Sequence, residues 1–216
     1  MDPKILQAAA TAIINGEGQL PEERPQIGSR LKNLLPKNRP IANIWTDDFQ
    51  WNDIYPKDIL FLNKWRGMVP DVKTGIYLHG IAGSGKTTVA VNMGMCWDRK
   101  CNYKTRAYDW IDLIKAIKTL PDYRSQEEFA MIYNLEKGQT KSLIIFDDFG
   151  AGKYTENVIE TTENIIRRLE KVGAICIFTS NVTPEKIVEI YSEQVWSRIC
   201  GMTVQIELGG RDWRVR

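Results

Sequence analysis

The chain has 216 residues, 43% hydrophobic and 26% charged, with a net charge of +2, which fits one globular α/β domain with a small appendage. That balance argues neither for nor against a nucleic-acid partner; no apolar run approaches the roughly 20 residues of a membrane span, and the N-terminus lacks a signal-peptide layout. The four cysteines, Cys96, Cys101, Cys176 and Cys200, form no C-x-x-C pair, so reduced core thiols are expected rather than a zinc site or disulfides, in an intracellular, cytoplasmic setting.

Residues 3–14 are predicted to be helical, with Ile5, Leu6, Ala9, Ala12 and Ile13 on one face and Asn15-Gly16 as a stop. Two readings of that face stand: it docks on the main domain, or it meets a partner protein. Residues 16–43 carry Gly16, Gly18, Pro21, Pro25, Gly28, Pro36 and Pro40, a density of breakers that reads as a linker or extended arm. Its Arg30, Lys32, Lys37 and Arg39 are either solvated linker charges or contacts to a phosphate backbone. The division is therefore residues 1–43 as helix and arm, a candidate partner-binding segment, and 44–216 as the main domain. In the stretch Ile44 to Trp51 the aromatics belong to the core or lie beside a nucleotide base, and a helix is expected to run on to Trp65-Arg66.

The apolar run Gly75-Ile-Tyr-Leu-His79 precedes Gly80-Ile-Ala-Gly-Ser-Gly-Lys-Thr87, which fills every fixed position of the phosphate-binding loop G-x-x-x-x-G-K-[ST]. Gly80, Gly83 and Gly85 let the backbone adopt positive φ and turn its N–H groups inward. The backbone from Gly80 through Ile81, Ala82, Gly83, Ser84 and Gly85 to Lys86, Thr87 and Thr88 is the predicted ATP cradle. Lys86 reaches the β- and γ-phosphates and the Thr87 hydroxyl ligates Mg2+. The helix expected from Thr87 to Trp97 presents its N-terminus to the anion. His79 has no second histidine in the chain and is read as structural.

Beyond the loop, strands and helices alternate in a doubly wound manner. Residues 104–108 read as a short strand, and Asp109 as the cap of a helix over 110–118. Residues 125–135 open on a capping-box-like Ser-x-x-Glu and read as a second helix. Ser142-Leu-Ile-Ile-Phe-Asp-Asp-Phe-Gly150 is a buried parallel strand that delivers two carboxylates at its C-terminal end, about 60 residues after the loop. Asp147 is assigned to Mg2+, through water, and Asp148 to polarising the attacking water. A long helix is expected over 155–171, with Val158, Ile159, Ile165, Ile166 and Leu169 in the core and Gly173 as its stop. The strand 174–181 ends on Asn181, either a turn residue or a hydrogen-bond donor to the γ-phosphate or attacking water. Thr183-Pro184 starts a helix, residues 191–200 form another, and 202–208 alternate as a strand before a basic terminus.

The order of Gly80–Thr87, Ile144-Ile-Phe-Asp-Asp-Phe-Gly150, Phe178-Thr-Ser-Asn181, Trp196-Ser-Arg198 and Gly210-Arg-Asp-Trp-Arg214 resembles the AAA+ ATPases of the DnaC/DnaI helicase-loader and IstB transposition-helper group, over roughly residues 44–216. The resemblance implies a P-loop NTPase three-layer sandwich with a parallel five-stranded sheet in the order 5-1-4-3-2 and no large helical lid. It further implies Asn181 as the sensor-1 residue, Arg198 as an arginine finger acting in trans on a neighbouring subunit, and Arg214 as a sensor-2-like arginine. Assembly into a homo-oligomer on ATP binding, contact with single-stranded DNA, and a replicative helicase or transposase as protein client follow from the same resemblance. An arginine in trans suits charge spreading over phosphoryl oxygens; the alternatives are a helix C-terminal charge for Arg198 and solvated tail charges for Arg211 and Arg214.

The chain departs from the group in places. Arg167-Arg-Leu-Glu170 does not reproduce the arginine–aromatic pair, and Asp148 stands where many other AAA+ proteins carry Glu, which points to hydrolysis that is slow or dependent on DNA or a partner. A superfamily-3-like viral helicase is the competing motor reading, since that class also ends strands in Asp-Asp-Phe and Thr-Ser-Asn but inserts a hairpin between the two. A nucleotide-dependent scaffold with little turnover is the non-enzymatic reading, opposed by the intact Lys86, Thr87, Asp147 and Asp148. A small-molecule kinase is a distant alternative, because no substrate-phosphate arginine motif stands out.

Overall fold

The computed structural model describes residues 56–69, 71–101, 105–119, 142–209 and 212. The expected helices over 3–14 and 125–135, the arm 16–43, the stretch 44–51, and Arg211 and Arg214 lie outside the described residues, and so does the proposed domain boundary at 43.

In chain order the elements are α1 (Pro56–Met68), β1 (Gly75–His79), α2 (Lys86–Lys100), β2 (Arg106–Asp109), α3 (Trp110–Thr119), β3 (Leu143–Asp147), α4 (Glu156–Val172), β4 (Ile175–Ser180), α5 (Pro184–Ile190), α6 (Glu193–Met202) and β5 (Thr203–Glu207). The strands form one sheet in the order β2-β3-β4-β1-β5, every pairing parallel. Read from the other edge this is 5-1-4-3-2, the expected order.

The three central strands, β3, β4 and β1, are buried on both faces because they are apolar at odd and even positions alike. Ile76 and Leu78 of β1, Leu143 and Ile145 of β3, and Ile175 and Ile177 of β4 point one way, onto Ile59, Leu62 and Trp65 of α1 and Val89, Ala90, Met93 and Trp97 of α2. Tyr77, Ile144, Phe146, Cys176 and Phe178 point the other way, onto Trp110 and Leu113 of α3, Ile165, Ile166 and Leu169 of α4, and Val195 and Ile199 of α6. Aromatic rings tie this second layer together: Phe146 stacks on Phe178 with centroids 5.2 Å apart, and Phe149 meets Trp110 edge-on at 4.7 Å.

Four of the five core contacts expected of α4 are buried, and Ile159 packs partly buried against them. The helix ends in a Schellman motif. Gly173, at φ 69, donates its N–H to the Glu170 carbonyl, and Ala174 donates to that of Leu169, both at 3.0 Å. That turn aims the chain straight into β4. The strand expected over 104–108 is shifted to Arg106–Asp109, since the ladder to β3 pairs Arg106 with Ile144 and Asp109 with Asp147 and so places the strand end by register. Asp109 then also caps α3, accepting the Asp112 N–H at 3.0 Å. Residues 148–175 are all described, and α4 is the one helix or strand between β3 and β4, so no hairpin is inserted there.

Candidate functional site

The candidate site lies along the carboxyl ends of three neighbouring strands, β3, β4 and β1, where open parallel sheets bind ligands. Register carries Asp147 to the end of β3 and Thr179 and Ser180 to the end of β4; β1 runs directly into the phosphate loop. In the loop, Gly80, Gly83 and Gly85 have φ of 142°, 80° and 92°, values a β-carbon would strain. Gly85 is the N-cap of α2 with no side-chain cap, and the first turn holds no acidic residue. The helix thus offers its leading N–H groups and positive dipole end to an anion.

Lys86 is buried and folds back over its own loop, donating to the carbonyls of Gly80 at 2.9 Å and Ile81 at 2.6 Å and to Ser84 Oγ at 3.4 Å. Ile81 is 52% exposed at the mouth of the loop, so an apolar side chain flanks whatever the loop holds.

Thr87 Oγ1 donates to the Asp147 carboxylate, at 2.9 Å to Oδ1 and 3.2 Å to Oδ2, joining the two predicted Mg2+ ligands. A third group joins them. Thr179 Oγ1 donates to Asp147 Oδ1 at 2.5 Å and accepts the backbone N–H of Asp148 at 3.0 Å. Burial pushes the Asp147 carboxyl up to about 6, against the lowering effect of the Thr179 and Thr87 hydrogen bonds and with smaller upward contributions from Asp148 and Asp109. A desolvated carboxylate beside a hydroxyl is the hard oxygen donor set that Mg2+ takes when phosphates complete its shell. Among the described residues no group of three or more His, Cys, Asp or Glu lies together. The residue types present fit Mg2+: Thr87 and Asp147 are the oxygen donors placed to hold it.

Asp148 has φ 53 and is the one non-glycine with positive φ among the described residues, a strained conformation of the kind that clusters at functional sites. It is fixed from β4 on two sides: its N–H goes to Thr179, and its Oδ1 accepts from Asn181 Nδ2 at 2.8 Å. The next residue is held as well, with Phe149 N–H on the Thr179 carbonyl at 2.7 Å and Ser180 Oγ donating to the Phe149 carbonyl at 2.7 Å. The turn after β3 is thus clamped to the end of β4, and Asp148 and Asn181 remain at the accessible rim.

Of the predicted site residues, the loop, Lys86, Thr87, Asp147, Asp148 and Asn181 come together here. His79 is half-buried at the end of β1, its imidazole pushed down first by burial against the pull of Glu207 and Glu185, and its carbonyl accepts the Leu208 N–H at 2.8 Å, in keeping with a structural role. Arg198 is elsewhere. It lies on α6 and ion-pairs with Glu170 near the C-terminus of α4, at the amino end of the sheet where α4 turns into β4. Arg214 lies outside the described residues, but Asp212 sets its carboxylate against the Cα of Gly83: a β-carbon there would sit 1.7 Å from Asp212 Oδ1. Asp212 therefore touches the phosphate loop.

Sequence reasoning missed Thr179 and Glu170. Thr179 stood within the Phe178-Thr-Ser-Asn181 motif, and its place one residue before a strand end facing Asp147 was the available signal. Glu170 offered none, because its partner is 28 residues away on another helix.

No family model matches the sequence, and no curated protein matches it. In three dimensions the chain is similar to the crystal structure of the DnaC helicase loader, with TM-score 0.61 and 20% identity over 83% of this chain and 99% of that one. DnaI gives TM-score 0.59 and 20% identity over 75% of this chain and 86% of its own. The replication initiator DnaA, bound to AMPPCP and single-stranded DNA, gives 0.53 and 20% over 70% of this chain and 45% of DnaA. The likeness is one of fold: the chain shares the α/β phosphate-loop architecture of these structures.

Proposed function

We propose that this chain is an Mg2+-dependent ATPase that acts in DNA replication, assembling on single-stranded DNA as a homo-oligomer and delivering a replicative helicase. The observation that carries the ATPase reading is the connected set Thr87–Asp147–Thr179–Asp148–Asn181, which joins the phosphate loop to both strand ends at hydrogen-bond distances between 2.5 and 3.2 Å. Residues of this type in this order serve phosphoryl transfer to water. The loop N–H groups and Lys86 bind the phosphates, while Thr87 and Asp147 hold Mg2+, which neutralises charge on the β- and γ-oxygens when bound. Asp148, oriented by Asn181, accepts a hydrogen bond from the attacking water and aligns it in line with the leaving group.

Arg198 supports assembly as part of the mechanism. It pairs with Glu170 at the amino end of its own sheet, whereas the phosphate loop follows the carboxyl end of β1, a placement that supports a reach to the triphosphate of another copy. There it would stabilise charge spreading over the transferring phosphoryl oxygens. Arg214 is assigned to the phosphates of its own subunit.

The replicative role is drawn from the neighbours, a helicase loader and an initiator bound to single-stranded DNA. The uninterrupted connection through α4 favours it over a superfamily-3-like motor. The test is strand displacement on a forked duplex by this protein alone, with phosphate release followed in the same tube. Turnover without unwinding is expected. Processive unwinding would overturn the loader reading in favour of a helicase, and no turnover on any DNA would leave a scaffold.

A further inference from the structure

Helices α4 and α6 lie side by side and run in the same direction, joined by polar contacts at two levels. Ser192 Oγ, the N-cap of α6, donates to Glu163 Oε1 at 3.4 Å, and Arg198 Nη1 donates to Glu170 Oε2. Glu163 and Glu170 are seven residues apart, two helical turns on one face of α4. Between these contacts Ile166 and Leu169 of α4 and Val195 and Ile199 of α6 are buried in the same core layer. The apolar seam fixes the two backbones, and α6 leads into β5 without a loop. Arg198 can therefore leave Glu170 by side-chain rotation alone.

The pair is neither buried nor fully solvated: its side chains are 33% and 40% exposed. An ion pair of that exposure is held weakly, whereas a guanidinium on a triphosphate inside a closed interface gains from several oxygens and from exclusion of water. A carboxylate bound to Arg198 neutralises the charge needed in trans, and a neighbour's nucleotide is the stronger ligand. We propose that Glu170 is a positioning residue for Arg198. It holds the guanidinium in cis and surrenders it to the nucleotide of a second copy of this chain, setting the protein concentration at which turnover switches on. The proposal rests on Arg198 acting in trans.

The experiment is ATP turnover per chain against protein concentration, with Mg2+ and saturating oligothymidylate, for the wild type, Glu170→Gln, Arg198→Ala and the double variant. Glu170→Gln is expected to lower the half-activating concentration two- to fivefold, the worth of an exposed pair of up to about 1 kcal/mol, with the plateau within twofold. Arg198→Ala is expected to stay flat at every concentration, and the double variant to match it. A half-activating concentration that is unchanged or raised in Glu170→Gln, with Glu170→Ala agreeing and both folded by thermal melt, overturns the role of Glu170. A wild-type plateau in Arg198→Ala, or turnover per chain independent of concentration in the wild type, instead overturns the trans reading of Arg198 and the proposal with it.

Discussion

Thr179 Oγ1 on β4 donates to Asp147 Oδ1 on β3 at 2.5 Å while accepting the Asp148 N–H at 3.0 Å. One hydroxyl thus sets the orientation of the carboxylate proposed to bind metal and the strained backbone of the one proposed to polarise water. Replacing Thr179 with Val keeps the shape and removes both bonds. Metal sites lose about 10- to 100-fold when such an orienting partner is removed, so kcat is expected to fall by that factor and the Mg2+ requirement to rise. Thr179→Ser should recover most of both. A Val variant with wild-type Mg2+ dependence would mean that Asp147 needs no orientation from β4.

Asn181 reaches only Asp148 among the site carboxylates and is exposed, so Asn181→Ala should leave stability within about 0.5 kcal/mol. Loss of a group that aligns the reacting water is expected to lower kcat by roughly 100-fold while KM for ATP changes little. A rise in KM with kcat intact would instead place Asn181 in nucleotide binding.

Asp147 should cost the metal-free protein stability. Its folded pKa of about 6 lies above the ordinary carboxylate value of 3.8, so the folded state binds the proton more tightly than the unfolded chain. Stability is then expected to be fully present below pH 4, to fall as pH rises towards 6, and to stay reduced above it. Two pH units correspond to roughly 3 kcal/mol as an upper figure. Asp147→Asn should raise the metal-free melting temperature by about 2–6 °C at pH 7.5, allowing for a less perfect fit of the amide, flatten the pH dependence and abolish turnover. Melting curves with and without Mg2+ and ATP check all three, and an Asn variant that melts lower than wild type without metal would refute the stability argument.

Gly173 provides a control away from the chemistry. It takes the left-handed turn that ends α4, and a β-carbon there would meet no atom within 4 Å. Gly173→Ala therefore suffers backbone strain alone, about 1–2 kcal/mol, read as a lower melting temperature with turnover unchanged at temperatures where the protein stays folded.

The parts of this fold legible in the sequence were those whose physics is local. The loop glycines with Lys86 and Thr87 fill the phosphate-loop pattern within eight residues, and the apolar run before Asp147 has the pattern of a buried parallel strand, which the structure keeps. Gly173 and Thr183-Pro184 marked helix ends that the structure keeps. The less legible parts depend on register and on contacts distant along the chain. The start of β2 is set by its pairing with Ile144, and the reach of Thr179 to Asp147 by β3 and β4 lying side by side. Arg198 was legible as a residue but not its hold on Glu170, since nothing in the sequence near either announces the other. The strand order was implied by resemblance, and no local pattern contains it.

The hold of the loop carbonyls on Lys86 has a consequence for anion binding. The ammonium already makes hydrogen bonds at 2.9 and 2.6 Å to Gly80 and Ile81, so binding a phosphate is an exchange of partners rather than a gain of a first one. Ser84 Oγ holds the same ammonium at 3.4 Å, so an anion must displace partners that the loop itself supplies before it takes the cation, and the charge-assisted bonds of a phosphate are stronger than those to neutral oxygens. In the proposed ATPase, Lys86 is thus stored against its own loop until an anion arrives.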